Sequence, residues 1–215
     1  MSRQTLITIA AGVWLLLFAL VTTRVTGQEV PPPPPRPPGT RPGPPRLTEQ
    51  DVQQRIRTVR ERLAQCKPKS EDGERLISMA RQELEQAEMD LRSNKLYAAD
   101  RLQAASDAFL HAAEHSVHLE EGSKGPTPQP VEIAEHLQRI YFRLQQVDFF
   151  ASTSGDTDAK LLPGLARKFY EQARKAYDDG SWFAADEYAK SADDTTRGLE
   201  NMAQAAAPPG LARLR

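Results

Sequence analysis

The chain has 215 residues, which is enough for one or two domains, and its formal net charge is −1. The balance of 28 basic and 29 acidic residues argues against a nucleic-acid-binding protein that depends on a basic surface. A single cysteine, Cys66, excludes an intrachain disulfide. Its thiol is interpreted either as a small buried apolar side chain or as a free thiol that links two copies of the chain.

An apolar segment opens the chain, since residues 6–21 are strongly apolar and follow Arg3. One interpretation is a secretory signal cleaved after Gly27, because small residues stand at the expected positions before that cut. The other is a retained membrane anchor, because a span needs roughly 17–25 apolar residues. We therefore predict a signal peptide or membrane anchor over residues 1–27. A long hydrophilic part follows the segment, and export is the usual purpose of that order. We therefore expect the remaining chain to lie outside the cytoplasm, either periplasmic or secreted, or held by a single membrane pass.

A proline-rich stretch follows, and its residues 31–46 hold ten of the seventeen prolines. Neither a helix nor a central strand tolerates this composition. We expect residues 28–46 to form a disordered linker with polyproline II character, which would reach at most about 50 Å. Such an arm would hold a folded body away from a membrane or cell wall.

Residues 47–121 are predicted to form a unit of three helices. Thr48 and Asp51 have the spacing of a capping box at the start of the first helix. Ser70 is predicted to cap the second helix, and Ser93 with Asn94 is predicted to end it. Apolar and small residues recur at helical spacing along the three helices. These residues are Val52, Ile56, Val59, Leu63, Leu76, Ala80, Leu84, Ala87, Leu91, Ala99, Leu102, Ser106, Phe109, Leu110, Ala113 and Val117.

A second three-helix unit is predicted over residues 131–207, after a linker at 122–130. A break is expected at 152–158, with Pro163 in the opening turn of the middle helix and Gly180 at its end. The predicted inward-facing residues are Ile133, Leu137, Ile140, Leu144, Val147, Leu165, Ala166, Phe169, Tyr170, Ala173, Tyr177, Ala185, Tyr188, Ala189, Ala192, Leu199 and Ala203. Residues 208–215 are predicted to be a disordered tail. The sequence thus predicts an all-α protein.

The two units share a sequence pattern that indicates a tandem duplication. Residues 79–115 align with residues 165–201 without a gap, and ten of thirty-seven positions are identical. A loop tolerates insertions at little cost, so the conserved length of the turn favours two helical hairpins in the same register. The shared acids Asp100 and Asp186 are interpreted as stabilising the first turns of their helices rather than as catalytic groups.

The second hairpin resembles a tetratricopeptide-type repeat. The positions that carry the resemblance are Phe169, Ala173, Gly180, Trp182, Ala185 and Ala192. Departures are Gln172, Ala176, Ala189 and Arg197, and the period is 86 residues instead of that family's 34. The resemblance covers about 35 residues of each copy. It implies a scaffold of helical hairpins that mediates interactions, and it transfers no site residue.

Three of the four histidines lie close together on the third predicted helix. Spacings of four and three residues place His111, His115 and His118 on one helical face, which we expect to point away from the apolar stripe. Imidazoles at this spacing can bind a divalent transition metal, with Glu114 as a possible further ligand. The alternative is a solvated polar face with no cofactor, and the second copy does not repeat the cluster.

The sequence contains neither a phosphate-binding glycine loop nor a recognisable nucleophile with its base. We therefore predict an exported or membrane-anchored helical scaffold without catalytic activity. Its expected partner is a protein or another component of the cell envelope, and its oligomeric state stays open. The alternative hypothesis is an extracytoplasmic metal-binding helical protein that uses the histidine cluster.

Overall fold

The computed structural model describes residues 47–122, 125, 126, 128–153 and 157–207. These residues form six helices and no strand, so the predicted all-α class is confirmed for this part of the chain. The helices are α1 (Glu49–Gln65), α2 (Glu71–Arg92), α3 (Leu96–Glu120), α4 (Pro130–Thr153), α5 (Thr157–Asp178) and α6 (Trp182–Ala206). The predicted signal or anchor, the proline-rich linker and the tail at 208–215 lie outside the described residues. Within the described part, no helix has the length and apolarity needed to cross a membrane.

Side chains cap the first two helices as the sequence predicts. The backbone N–H of Asp51 donates to Thr48 Oγ1, and the N–H of Thr48 donates to the Asp51 carboxylate, both at 3.2 Å. Ser70 Oγ accepts from the N–H of Gly73 at the start of α2. The carboxylate of Glu120 accepts from the N–H groups of Lys69 and Ser70, so the end of α3 is bonded to the start of α2.

The turns after α2 and α5 have the same hydrogen-bonded geometry. Asn94 and Gly180 adopt left-handed backbone angles, with φ of 57° and 73°. The N–H of Lys95 donates to Asp90 O at 2.9 Å, and the N–H of Ser181 donates to Ala176 O at 2.8 Å. Each turn therefore ends its helix with a Schellman motif, which bonds the last helical carbonyls. The left-handed end predicted at Gly180 is confirmed.

The centre of the molecule is an antiparallel pair formed by α3 and α6, with α2 packed on α3 and α5 packed on α6. The buried hydroxyl of Ser191 donates to Ala112 O across the pair. Phe109 is fully buried at the point where α6 carries Gly198. A Cβ atom on Gly198 would lie 2.3 Å from the Phe109 ring, so the missing side chain makes the close approach possible.

Helices α1 and α4 occupy corresponding positions on the outside of the two hairpins. Helix α1 contacts α2 and α3, and α4 contacts α5 and α6. Each buried residue of α1 in the following pairs has a buried counterpart in α4 that stands 81 residues later in the sequence. The pairs are Val52 and Ile133, Ile56 and Leu137, Val59 and Ile140, and Leu63 and Leu144.

Arginine forks join the outer helices to the central pair. Arg62 of α1 donates Nε and Nη2 to Glu114, at 3.3 and 2.6 Å, and Nη1 to Asp107. Arg143 of α4 makes the same three bonds, with Nε and Nη2 on Glu200 at 3.2 and 2.7 Å and Nη1 on Asp193. We call each set of one arginine, one aspartate and one glutamate a clamp.

Two local expectations about the helices are wrong. Helix α5 begins at Thr157, so Pro163 lies inside it and not in its opening turn. Leu162 and Pro163 are buried, and this packing retains the helical turn although proline cannot donate a backbone hydrogen bond. Asp100 and Asp186, which align with each other in sequence, lie beyond the first turns of α3 and α6, where they pair with Arg55 and Lys190.

Candidate functional site

The structure brings two of the three predicted histidines together with an acid that the sequence did not suggest. His115 and His118 lie near the end of α3, and Glu187 lies near the start of α6. The Nδ1 atoms of His115 and His118 lie 3.0 and 2.9 Å from the same oxygen, Glu187 Oε2. His115 is only 17% exposed, so the expectation that this face points away from the protein is wrong for its side chain.

Neighbouring charges hold both sides of this cluster. Asp194 Oδ2 lies 3.5 Å from Nε2 of His115, which is the ring nitrogen that faces away from Glu187. Lys190 Nζ donates to Glu187 Oε1 at 3.0 Å, which leaves Oε2 to the two imidazoles. The orientation of His115 and of the Glu187 carboxylate is therefore fixed by groups outside the cluster.

His111 does not join the cluster. Its Nε2 lies 3.6 Å from Asp107, the aspartate of the first clamp. The nearby Asp107 carboxylate raises the pKa of His111 above its ordinary value. The fourth histidine, His136, lies 3.8 Å from Asp193 in the second clamp. His111 and His136 thus extend the clamps.

The cluster is an ion pair when no other ion is bound. Burial lowers the pKa of His115, but hydrogen bonds to Asp194 and Glu187 outweigh it and raise the pKa to about 9. Burial raises the pKa of Glu187, but hydrogen bonds from His115, His118 and Lys190 lower it to about 2. At neutral pH the His115 imidazolium therefore faces the Glu187 carboxylate in a partly buried site.

The ligand atoms of His115, His118 and Glu187 all lie within 4.8 Å of one another. Two imidazole nitrogens and one carboxylate oxygen are donors that zinc, copper and nickel accept. Glu187 stands 72 residues from His115, and no local pattern marks it as a ligand. Only the contact between α3 and α6 brings its carboxylate to the two imidazoles, and the spacing of residues along the sequence does not show that contact.

A second surface feature is an open groove between α4 and α5 with a volume of about 790 Å³. Tyr141 of α4 lines this groove, and Phe142 lies beside it on the same helix. The two side chains are 48% and 56% exposed, and their rings meet edge to face at 5.8 Å. Tyr170 of α5 approaches Tyr141 to 6.3 Å between ring centroids. An ion pair between Asp148 and Arg167 spans the groove, so its lining carries charges of both signs. The groove therefore offers aromatic and charged contacts on one surface.

Cys66 ends α1, and its side chain is partly buried against the core. Burial raises the pKa of its thiol, which disfavours the reactive thiolate.

A comparison of the chain with protein-family models, with characterised proteins and with solved structures found no match.

Proposed function

We propose that this protein is an exported or membrane-anchored helical scaffold without catalytic activity, and that it binds a protein segment in the groove between α4 and α5. The observation that carries the proposal is the exposed aromatic pair of Tyr141 and Phe142. Large aromatic side chains are enriched in protein interfaces, where each supplies much contact area at little entropic cost.

The proposed scaffold arose by duplication of a three-helix unit. Its support is threefold: buried positions of α1 and α4 at a constant separation, matching Schellman turns at Asn94 and Gly180, and matching clamps at Arg62 and Arg143. Of the acids repeated in both units, Asp107 with Asp193 and Glu114 with Glu200 bind the clamp arginines. The tetratricopeptide resemblance belongs to the same proposal and extends only to the helical hairpin.

The proposed duplication supplies an internal reference for the exposed aromatic pair. At a separation of 81 residues, Tyr141 and Phe142 correspond to Arg60 and Glu61 of α1. Arg60 forms an ion pair with Glu88, and both α1 residues are exposed and charged. The same outer face therefore carries solvated charges in one unit and exposed aromatic rings in the other. Packing requires no such exchange, whereas binding a partner gives a reason for it.

Export is supported by the sequence of residues 1–46, in which an apolar segment precedes a proline-rich stretch. A body tethered by an extended arm of this kind can reach components of the cell envelope.

A photo-crosslinking experiment tests the binding surface. A photoreactive amino acid replaces Phe142 in the full chain, and in a matched variant it replaces Glu61. Both are irradiated in the presence of envelope extract from the source cells. We expect a defined protein adduct from position 142 and none from position 61.

A double substitution, Tyr141→Arg with Phe142→Glu, gives the second unit the surface residues of the first. We expect capture by a neighbouring photoreactive position, Gln145, to be lost while the melting temperature stays unchanged. Equal adducts from both units, or capture that survives the double substitution, would show that the groove is not the binding surface.

A further inference from the structure

We propose that His115 and His118 of α3, together with Glu187 of α6, bind one divalent transition metal ion of the zinc class. The metal ion would link the two helices of the central pair, α3 and α6. It is independent of the proposed groove, since its ligands lie on α3 and α6 while the groove lies between α4 and α5.

The first support is the convergence of the donor atoms. Both Nδ1 atoms lie 2.9–3.0 Å from Glu187 Oε2, and all three ligand atoms lie within 4.8 Å of one another. A tetrahedral zinc ion with bonds of about 2.0–2.1 Å places neighbouring ligand atoms roughly 3.3 Å apart. The two nitrogen–oxygen separations therefore need to open by only about 0.3–0.4 Å. Of the three side chains, His118 is the most exposed, so its ring can rotate furthest to make such a change.

The second support is the set of groups behind the ligands. If Nδ1 of His115 binds the metal, its Nε2–H faces the Asp194 carboxylate at 3.5 Å. A carboxylate behind a histidine ligand fixes the tautomer and strengthens the nitrogen as a donor. Lys190 similarly donates to Glu187 Oε1, which leaves Oε2 for the metal. Two of the three ligands thus have the supporting partners that metal sites commonly use.

The third support is an opening to solvent on one side. His118 is 50% exposed, whereas the Glu187 side chain is 5% exposed. A metal ion can therefore enter past His118 and reach a carboxylate that is otherwise buried. With three protein ligands, a fourth coordination position stays free for water or an exchangeable ligand.

The fourth support is the corresponding end of the same helix pair. At a separation of 86 residues, His115 and His118 correspond to Asn201 and Gln204, and Glu187 corresponds to Arg101. Amides and a guanidinium do not form a transition-metal site, since arginine keeps its positive charge. A helix pair of this shape therefore does not require two histidines and a glutamate. Their presence at one end only is a specific feature that a metal ion would use.

Zinc titration of the metal-stripped full chain tests the proposal, with calorimetry and thermal denaturation as readouts. We expect one zinc ion per chain. When free zinc exceeds the Kd about 100-fold, we expect the melting temperature to rise by about 5–10 °C. Cobalt in place of zinc should give the visible absorption of a four-coordinate site.

Three variants identify the ligands. His118→Asn removes a half-exposed ligand without disturbing the core, and we expect it to weaken zinc binding by at least about 100-fold. Asp194→Asn should weaken it by about 10–100-fold through His115. His111→Asn is the matched control, since it lies on the same helix and contacts Asp107; it should leave zinc affinity unchanged. Each variant is also melted in chelator, which separates a folding defect from a lost ligand.

Three results would overturn the proposal: no zinc binding by the unmodified chain, unchanged binding by His118→Asn, or equal losses in His118→Asn and His111→Asn. The first would leave the cluster as an ion pair between α3 and α6. The other two would move any zinc to different residues.

Discussion

The replacement of Gly198 by alanine tests how closely α3 and α6 pack. A Cβ atom at this position would lie 2.3, 2.6 and 2.7 Å from three carbons of the Phe109 ring. Ordinary carbon–carbon contact is about 3.5–4.0 Å, so the ring or the helix would have to retreat by roughly 1.2 Å. Phe109 is fully buried, and its ring cannot move without displacing other core residues.

Two opposing terms set the size of the effect. Overpacking a core by one carbon costs about 1–3 kcal/mol, and three sub-contact distances place Gly198→Ala at the upper end. Alanine is better than glycine in a helix interior by about 1 kcal/mol. We therefore expect a net loss of about 2 kcal/mol in the free energy of unfolding. For a chain of this size, the melting temperature should fall by about 4–8 °C.

Gly164 provides the matched control, because it also lies within a helix and a Cβ atom there would meet nothing within 4 Å. Gly164→Ala should stabilise the protein by up to about 1 kcal/mol. Urea denaturation followed by circular dichroism compares the two variants with the unmodified chain. Phe109→Leu should make Gly198→Ala nearly neutral in a double-mutant cycle, because it removes the ring that the new carbon meets. If Gly198→Ala stabilises the protein as much as Gly164→Ala does, the described packing of α3 on α6 is wrong.

Three further predictions concern features that the two units share. Asn94→Gly should raise the free energy of unfolding by up to about 1 kcal/mol and Gly180→Ala should lower it by about 1–2 kcal/mol, because both positions have left-handed backbone angles. Urea denaturation should therefore show stability changes of opposite sign for the two variants, and changes of the same sign would contradict the prediction. Arg62→Met and Arg143→Met should each lower the free energy of unfolding by about 1–2 kcal/mol, because each leaves an aspartate and a glutamate of its clamp without the arginine fork. A loss of stability in only one of the two variants would show that the clamps are not equivalent. Burial raises the pKa of Asp193, but the nearby His136 ring and the charge of Arg143 lower it from 3.8 to about 2. This carboxylate therefore contributes stability, about 2 kcal/mol, that is present above pH 3.8 and is lost as the pH falls through 2. The stability difference between the unmodified chain and Asp193→Asn should shrink over that window, and a difference independent of pH would exclude the lowered pKa.

Local patterns predict most of the helical architecture from the sequence. Apolar residues such as Val52 recur along their helix at the helical period, and this periodicity alone identifies the buried face. Capping at Thr48 and the left-handed end at Gly180 depend on residues within one turn, so they can also be read locally. The start of α5 could not be predicted in this way. Proline usually lies in the first turn of a helix, but the burial of Leu162 and Pro163, which depends on tertiary packing, keeps Pro163 inside α5.

The candidate site could be predicted only in part, because its residues come from two helices. The spacing of His115 and His118 is a local signal, and it identified both residues. Assigning His111 to the same set failed to anticipate the first clamp, where Asp107 holds that ring. Finding Glu187 requires the antiparallel register of α3 on α6, and the spacing of residues along one helix contains no such information.

Under the proposed duplication, antiparallel packing explains how the chain could acquire the candidate site at one place only. Each end of the α3–α6 pair joins the last turns of one helix to the first turns of the other, so a duplication initially makes the two ends alike. Substitutions at one end then change that end alone, as with His115 facing Glu187, while Asn201 and Arg101 hold the corresponding positions. The clamps occur in both units, because each one holds an outer helix to the central pair. Features present in one unit only, the histidine cluster and the aromatic groove, are therefore the places where function is to be sought.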